Sequence, residues 1–569
     1  MSSKFLISFL FVIAFLLRLL LVPNPGFEAD VSFWKSWGLA TRDFGIVEGI
    51  KQTNNNYPTP FAYTLGLMVK LYSLFADPHN FNEFWQNTNL TFLAISKLFP
   101  ILADLGIAAI ILYMGQNTLS LLLAVFYLFN PVSLIDGAWW GQVDSLGVFI
   151  FLIALLLSLK RQPFWAGAVF MLSMMTKLQN MIYGPLFFLF IWQSLGFDGL
   201  RKAILGATVG FFGLNIEFFL SKNMDRVIAS LTSNYDYFPW MSLNAFNVWW
   251  IVSGGHGMQV SDKLLAIGIV NAKTVGLLMF SSFYLFALVR QRKNLQSFLE
   301  SLIIVNASFF LFMTESHDRY LFPTSVFLLL WAPFYKNFRV FSVFYILFSL
   351  VYFYNLHSAL VFNYPNNGLP GLSQLIQPTV TITASVLLIA LFVIFLLFLT
   401  RYSLAVFAVI VLGITALNFP LYAKQPMSLT KFTPYISTQD FGSRQTNKSV
   451  NSSYGINSWN RLSVQYMFYK KGIGTHTNSR HVFAINSKFK RFSTDFGVDT
   501  ESGPQASVIF EIYGDDKLLF RSETMKKYDY PRHTEVNIEG IKFLSLVTTD
   551  AGDGNIDDHT DWLNPMLYP

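Results

Sequence analysis

Gly26-Phe27-Glu28-Ala29-Asp30 comes directly after an apolar run, Met1 to Val22, and opens the first polar stretch of a chain dominated by apolar segments. It places two carboxylates at the mouth of a membrane span. The residues that follow, Phe33, Trp37, Ala40 and Phe44, recur at helical spacing and describe a helix lying along a bilayer surface. Acid groups at that depth would meet the polar head of a lipid-linked substrate. Read locally, Asp30 also suits the N-cap of a helix beginning near Val31, with Glu28 solvated. The rest of the chain decides between the two readings.

Of the 569 residues, 53% are hydrophobic, 17% aromatic and only 13% charged, which excludes an ordinary soluble domain. The formal charge of +7 would suggest a nucleic-acid partner in a soluble protein. Here most Lys and Arg lie in short loops between apolar runs, where they set orientation, and no nucleic-acid partner is read from them. The chain has no cysteine, so disulfides, thiolate metal sites and thiol chemistry are excluded. Met1 to Val22 has a Lys and then about eighteen apolar residues without a small-residue cleavage site, which reads as a retained span.

Apolar runs of span character lie near residues 5–22, 91–113, 118–135, 143–159, 163–178, 181–195, 203–220, 263–289, 298–314, 320–335, 339–355, 376–399 and 402–420. These roughly thirteen transmembrane helices describe a polytopic α-helical membrane protein. With the amino terminus cytoplasmic, Lys160-Arg161, Arg201-Lys202, Arg290 to Lys293, Lys336 with Arg339, and Arg401 all face the cytoplasm. The carboxyl terminus is then extracytoplasmic. Phe61 to Phe75 is short, carries Lys70 and follows Pro58 and Pro60, so it is expected as a re-entrant or interfacial helix of the first outer loop.

This orientation gathers six polar clusters on the outer side: Glu28 with Asp30, Asn56-Tyr57-Pro58, Trp139 to Asp144, Thr176 to Asn180, Ser242 to Trp250, and Glu315 to Tyr320. Singly, such residues are snorkelling or capping groups. Together they describe a polar cavity, with Tyr57, Asp104, Gln142, Asp144, Gln179, Asn244 and Asn247 as its expected lining. Lys97 and Asp104 stand seven residues apart, on one helical face and about 10 Å apart along the axis. A carboxylate inside the bilayer needs a partner, so Asp104 is either a structural hydrogen-bonding group between helices or a functional one. In Glu315-Ser316-His317-Asp318-Arg319-Tyr320, Arg319 offers a planar fork suited to phosphate oxygens and His317 a group that donates or accepts a proton.

Glu28-Ala29-Asp30, Tyr57-Pro58, Lys97 with Asp104, Trp140 to Ser145, Thr176-Lys177-Leu178-Gln179, Ser242 to Asn247 with Trp249, and His317 to Pro323 stand in an order that resembles the bacterial membrane mannosyltransferases. That family is related to the second mannosyltransferase of GPI-anchor synthesis and belongs to the GT-C class. The resemblance covers about residues 5–420. It implies a GT-C fold, a polyprenyl-phosphate sugar as donor, and the acid of the first outer loop as the catalytic base, here Asp30, with Glu28 beside it. The family commonly has Asp-Tyr-Pro-Pro where this chain has Asn56-Tyr57-Pro58-Thr59, so an acid at position 56 is missing.

The residues fit that chemistry independently. A carboxylate takes the proton of the acceptor hydroxyl as it attacks the anomeric carbon, and cations stabilise the departing lipid phosphate. Asp30 suits the first task; Arg319, His317 and Lys177 suit the second, and direct attack predicts inversion. No cofactor is required, although Glu28 and Asp30 can share a divalent cation.

After Ala423 the composition turns polar, with alternating strands at Ser507 to Tyr513 and Ile541 to Val547. Residues 1–423 and 424–569 are therefore expected as separate domains, the second all-β and large enough for its own core. Gly472 to Ser479, Phe496 to Asp499, Tyr513-Gly514-Asp515, and Thr549 to Gly554 through Asp558 to Trp562 resemble the NPCBM-type carbohydrate-binding module. The resemblance implies a β-sandwich that binds sugar, with His476, Asp550, Asp553, Asp558 and Trp562 as candidates. A Ca²⁺ near Asp550, Asp553 and Asp557 is the metal reading, and turn-stabilising aspartates the plain one.

The sequence is thus read as an extracytoplasmic, multi-pass membrane hexosyltransferase. It would move a sugar, most naturally mannose, from a polyprenyl phosphate to a glycan acceptor. The competing class is an exporter of lipid-linked sugar whose outer domain captures glycan. Transporters show internal repeats and paired broken helices, which this chain lacks.

Overall fold

The computed structural model describes residues 3–232, 238–267, 270–399, 426–453 and 461–569. Two compact units separate among them: residues 3–258 with 267 and 270–399, and residues 426–569, with which 259–266 group. The expected boundary after Ala423 falls outside the described residues.

The first unit is helical. Helices occur at twelve of the thirteen expected runs, and the last, 402–420, lies outside the described residues. Five are long and apolar enough to cross a membrane: Leu90–Gly115, Ala272–Arg290, Leu295–Phe312, Phe338–Asn363 and Pro378–Leu399. A sixth arises if Thr118–Leu128 and Pro131–Trp140, bent by 45°, count as one. Several others are short. At 1.5 Å per residue, Phe322–Trp331 extends only about 15 Å, half of a bilayer core of about 30 Å. The helix Gly184–Leu214 is broken at Gly196, where φ is 72°, and the run expected from residue 263 becomes helical only at Ala272.

Glu28–Lys51 and Thr59–Tyr72 form a helical hairpin, packed through Trp34 on Phe61 and Gly38 on Leu65. Asp30 lies in the first turn of Glu28–Lys51, not at its N-cap. Phe27 holds that place without a side-chain bond, so capping does not explain Asp30.

Lys97 and Asp104 share a helix, yet each is bound elsewhere. Asp104 pairs with Arg18 at 3.0 Å and accepts from the Tyr127 hydroxyl at 2.7 Å. Arg18 is buried and also donates to Leu128 O and Ser133 Oγ, so the first apolar run carries an embedded charge matched by a carboxylate. Lys97 donates to the carbonyls of Val22, Asn24 and Trp139.

The second unit is an antiparallel β domain of two main sheets. One orders Arg532–Asn537, Arg491–Val498, His559–Tyr568, Gly472–His476 and Gln445–Thr446; the other orders Lys517–Arg521, Ser507–Gly514, Phe543–Asp550, Ser479–Ala484 and Ile436–Thr438. Alternate residues of these strands, including Phe483, Phe492, Phe496, Phe510, Leu546 and Trp562, supply one buried core.

Candidate functional site

The loop before Asp30 is locked from three directions. Gly26 has φ of +66°, and a Cβ there would stand 2.0 Å from Trp140 O, so only glycine fits. Phe27 stacks on Trp140 at 5.6 Å between centroids. Lys97 ties Asn24 O to Trp139 O. The acidic loop and the Trp139–Asp144 turn therefore form one body. From that turn Gln142 donates its side-chain amide to Asp30 Oδ2, while Oδ1 accepts no bond among the described residues.

The two acids of the loop differ. Both oxygens of Glu28 are engaged, Oε1 by Asn367 Nδ2 at 3.0 Å and Oε2 by Asn87 Nδ2 at 2.5 Å. Asp30 keeps one oxygen free and is half-buried. Burial raises its carboxyl above the usual range, against the lowering effect of Arg319, Gln142 and Lys177. Asp30 is therefore the acid suited to taking a proton.

Asp144, buried at the start of its helix, holds the cations. Lys177 Nζ lies 3.0 Å from its Oδ1 and Arg319 Nε 3.9 Å from its Oδ2. Arg319 also approaches Asp318 no closer than 3.9 Å and makes no hydrogen bond among the described residues, although its side chain is only 13% exposed. Its planar fork thus keeps its donors, where a buried guanidinium is normally satisfied. Burial pushes the Asp318 carboxyl up to about 7.

His317 is not a cation here. Burial, with Arg319 and Lys177 nearby, holds its imidazole well below the usual value, so it can donate a hydrogen bond but brings no charge. Tyr57 packs on Phe61 and Trp37 and lies within electrostatic reach of Arg319. Gln179 donates to Tyr320 O at 2.7 Å.

The structure brings all six polar clusters together, but some expected cavity residues are scaffolding. Asn247 caps the helix Val248–Val252 and donates to Phe310 O and Met313 O. Asn244, at φ of 60°, offers its carbonyl to Asn355. Asp104, 1% exposed, is spent on Arg18 and Tyr127 rather than lining a cavity. Arg18, Asn367 and Asp136 are residues the sequence reading missed. Asp136 is fully buried beside this cluster, and its carboxyl has no hydrogen-bond partner among the described residues.

In the β domain, the expected sugar residues are largely built into turns and core. Trp562 is fully buried against Phe510 and Phe496 and cannot stack on a ligand. Asp558 accepts from Ser507 N and Thr477 Oγ1, Asp553 from Ser507 Oγ, and Asp550 from Gly552 N. Asp557 has φ of 63°, a turn position. Asp553 and Asp558 both hold Ser507, and among the described residues no group of three His, Cys, Asp or Glu is placed to hold a metal ion. His476, 4% exposed, packs its ring against His559 at 5.4 Å and Phe441 at 5.3 Å.

Residues 426–568 match the family model described as NPCBM/NEW2 domain. A putative endo-alpha-N-acetylgalactosaminidase of Renibacterium salmoninarum is 27% identical over 103 residues, 18% of this chain and 7% of that protein. The chain thus spans a small fraction of this relative. Among solved structures, CBM51 from Clostridium perfringens GH95 in complex with methyl-galactose is 29% identical, covering 25% of this chain and 99% of that one, with a TM-score of 0.23. CBM51-2 in complex with GlcNAc, from Clostridium perfringens ZmpB, is 26% identical, covering 25% and 31%, also with a TM-score of 0.23. The antiparallel domain at the end of this chain is a carbohydrate-binding module of the NPCBM type.

Proposed function

We propose that the helical unit is a membrane glycosyltransferase of the GT-C kind, taking a hexose, most naturally mannose, from a polyprenyl phosphate on the extracytoplasmic side. The observation that carries this reading is Arg319: a largely buried guanidinium with uncommitted donors, within electrostatic reach of a carboxylate that has a free oxygen. A cation and a base at one spot suit a reaction in which a phosphate departs as a hydroxyl attacks.

In this mechanism Asp30 Oδ1 removes the acceptor's hydroxyl proton. The oxygen forms its bond to the anomeric carbon as the carbon–oxygen bond to phosphate breaks. The phosphate leaves with the electron pair and is stabilised by Arg319, with Lys177 and a neutral His317 donor beside it. Attack opposite the leaving group inverts the anomeric configuration. Gln142 orients the base, and Asp144 spaces the two cations. The carbohydrate-binding module holds the glycan.

Purified protein in liposomes, given radiolabelled polyprenyl-phosphate mannose and candidate glycans, should yield labelled glycan and free polyprenyl phosphate. Movement of the lipid across the bilayer without bond formation would support an exporter instead.

A further inference from the structure

Asn367 lies in the connection between helices Phe338–Asn363 and Pro378–Leu399, some 340 residues from the acidic loop, and is 6% exposed. Its side-chain amide donates to Gly26 O at 2.8 Å and to Glu28 Oε1 at 3.0 Å. Its backbone carbonyl accepts from Asn24 Nδ2 at 3.1 Å and Trp139 Nε1 at 2.8 Å. One residue therefore holds both the loop that carries Asp30 and the turn that carries Gln142. Three residues earlier, the Tyr364 hydroxyl accepts from Ala29 N at 2.9 Å, and its ring stands edge-on to Phe27 at 4.8 Å.

We infer that Asn367 is a positioning residue for Asp30, and that Glu28 is the handle through which it acts rather than a second base. The inference rests on the glycosyltransferase reading. Glu28 and Asp30 occupy one helical turn, so a shift of the first displaces the second. Asn87 fixes the other Glu28 oxygen, so both oxygens of that carboxylate are held by side-chain amides, whereas Asp30 keeps one oxygen without a bond among the described residues. A displacement of about 1 Å at a reacting group costs about 10²-fold in rate.

The test compares wild type with Asn367→Ala, Asn367→Asp and the double variant Asn367→Asp/Glu28→Gln, measuring kcat, donor KM and melting temperature. Asn367→Ala should lower kcat by about 10- to 100-fold with donor KM within about twofold. Asn367→Asp should fall further, because two carboxylates then face each other. The double variant should regain about tenfold over Asn367→Asp. The new amide at 28 donates to the carboxylate at 367, while its oxygen still accepts from Asn87. If the alanine variant does not fold, the two aspartate variants decide the matter alone. Wild-type kcat in Asn367→Ala, a change in donor KM alone, or a double variant no better than Asn367→Asp overturns the inference. If wild type shows no transfer dependent on Asp30, the glycosyltransferase reading itself fails.

Discussion

Gln142 donates its side-chain amide to Asp30, so the turn after Trp140 and the first polar loop share one hydrogen bond at the centre of the site. That bond favours the ionised acid, while burial disfavours it. A base must be ionised to act, so transfer should decline as pH falls through a value above the ordinary carboxylate range. Removing the amide by Gln142→Leu raises the acid further and should move this limb to higher pH. A kcat/KM profile over pH 4 to 8 for both proteins checks the sign, and an unmoved or downward-shifted limb contradicts it.

Arg319→Lys keeps the charge and loses the fork. Because a planar guanidinium grips phosphate through two parallel bonds, the change should lower transfer by roughly 10²- to 10³-fold and weaken donor binding. Steady-state kinetics with polyprenyl-phosphate sugar measure both.

Arg18 and Asp104 form an ion pair whose side chains are 0% and 1% exposed. Arg18→Met strands a carboxylate in an apolar interior and should cost about 3–5 kcal/mol, whereas Arg18→Met with Asp104→Leu should recover most of that. Thermal unfolding in detergent, followed by tryptophan fluorescence, distinguishes the two outcomes.

Within the carbohydrate-binding module, burial raises the Asp499 and Asp558 carboxyls to about 6 from 3.8. Between those values these two groups hold more protons in the folded module than in the unfolded chain, so together they contribute a decline in stability as pH rises from about 4 to about 6. That decline is opposed by His481, whose imidazole burial holds down to about 3. Asp499→Asn should flatten the decline. Melting temperatures across that range provide the check.

The polar clusters were legible because each interrupts an apolar run, and a charge or amide in such a place needs company. Which residues accompany which was not legible. Asp104 was read as a structural bond between helices or a functional group, and it is the former, but spacing on one helix could not name Arg18 on another as its partner. Asn367 gave no signal, since a loop asparagine is ordinary until its partners are known. Trp562 stood among the sugar candidates through the resemblance to the carbohydrate-binding module, and a motif does not tell a core aromatic from an exposed one. Of the thirteen expected spans, five are helices of spanning length and composition among the described residues. Apolar character alone does not show where a helix begins or ends, as in the run 320–335, which holds the short Phe322–Trp331, and the run from 263, which becomes helical only at Ala272.

The most direct test compares wild type with Asp30→Asn in the same preparation, measuring donor binding and sugar transfer together. Asn is nearly the same shape and keeps the site folded, but it cannot take a proton. Donor should bind within about threefold of wild type while transfer falls by about 10²- to 10⁴-fold. Undiminished transfer by Asp30→Asn would contradict the account.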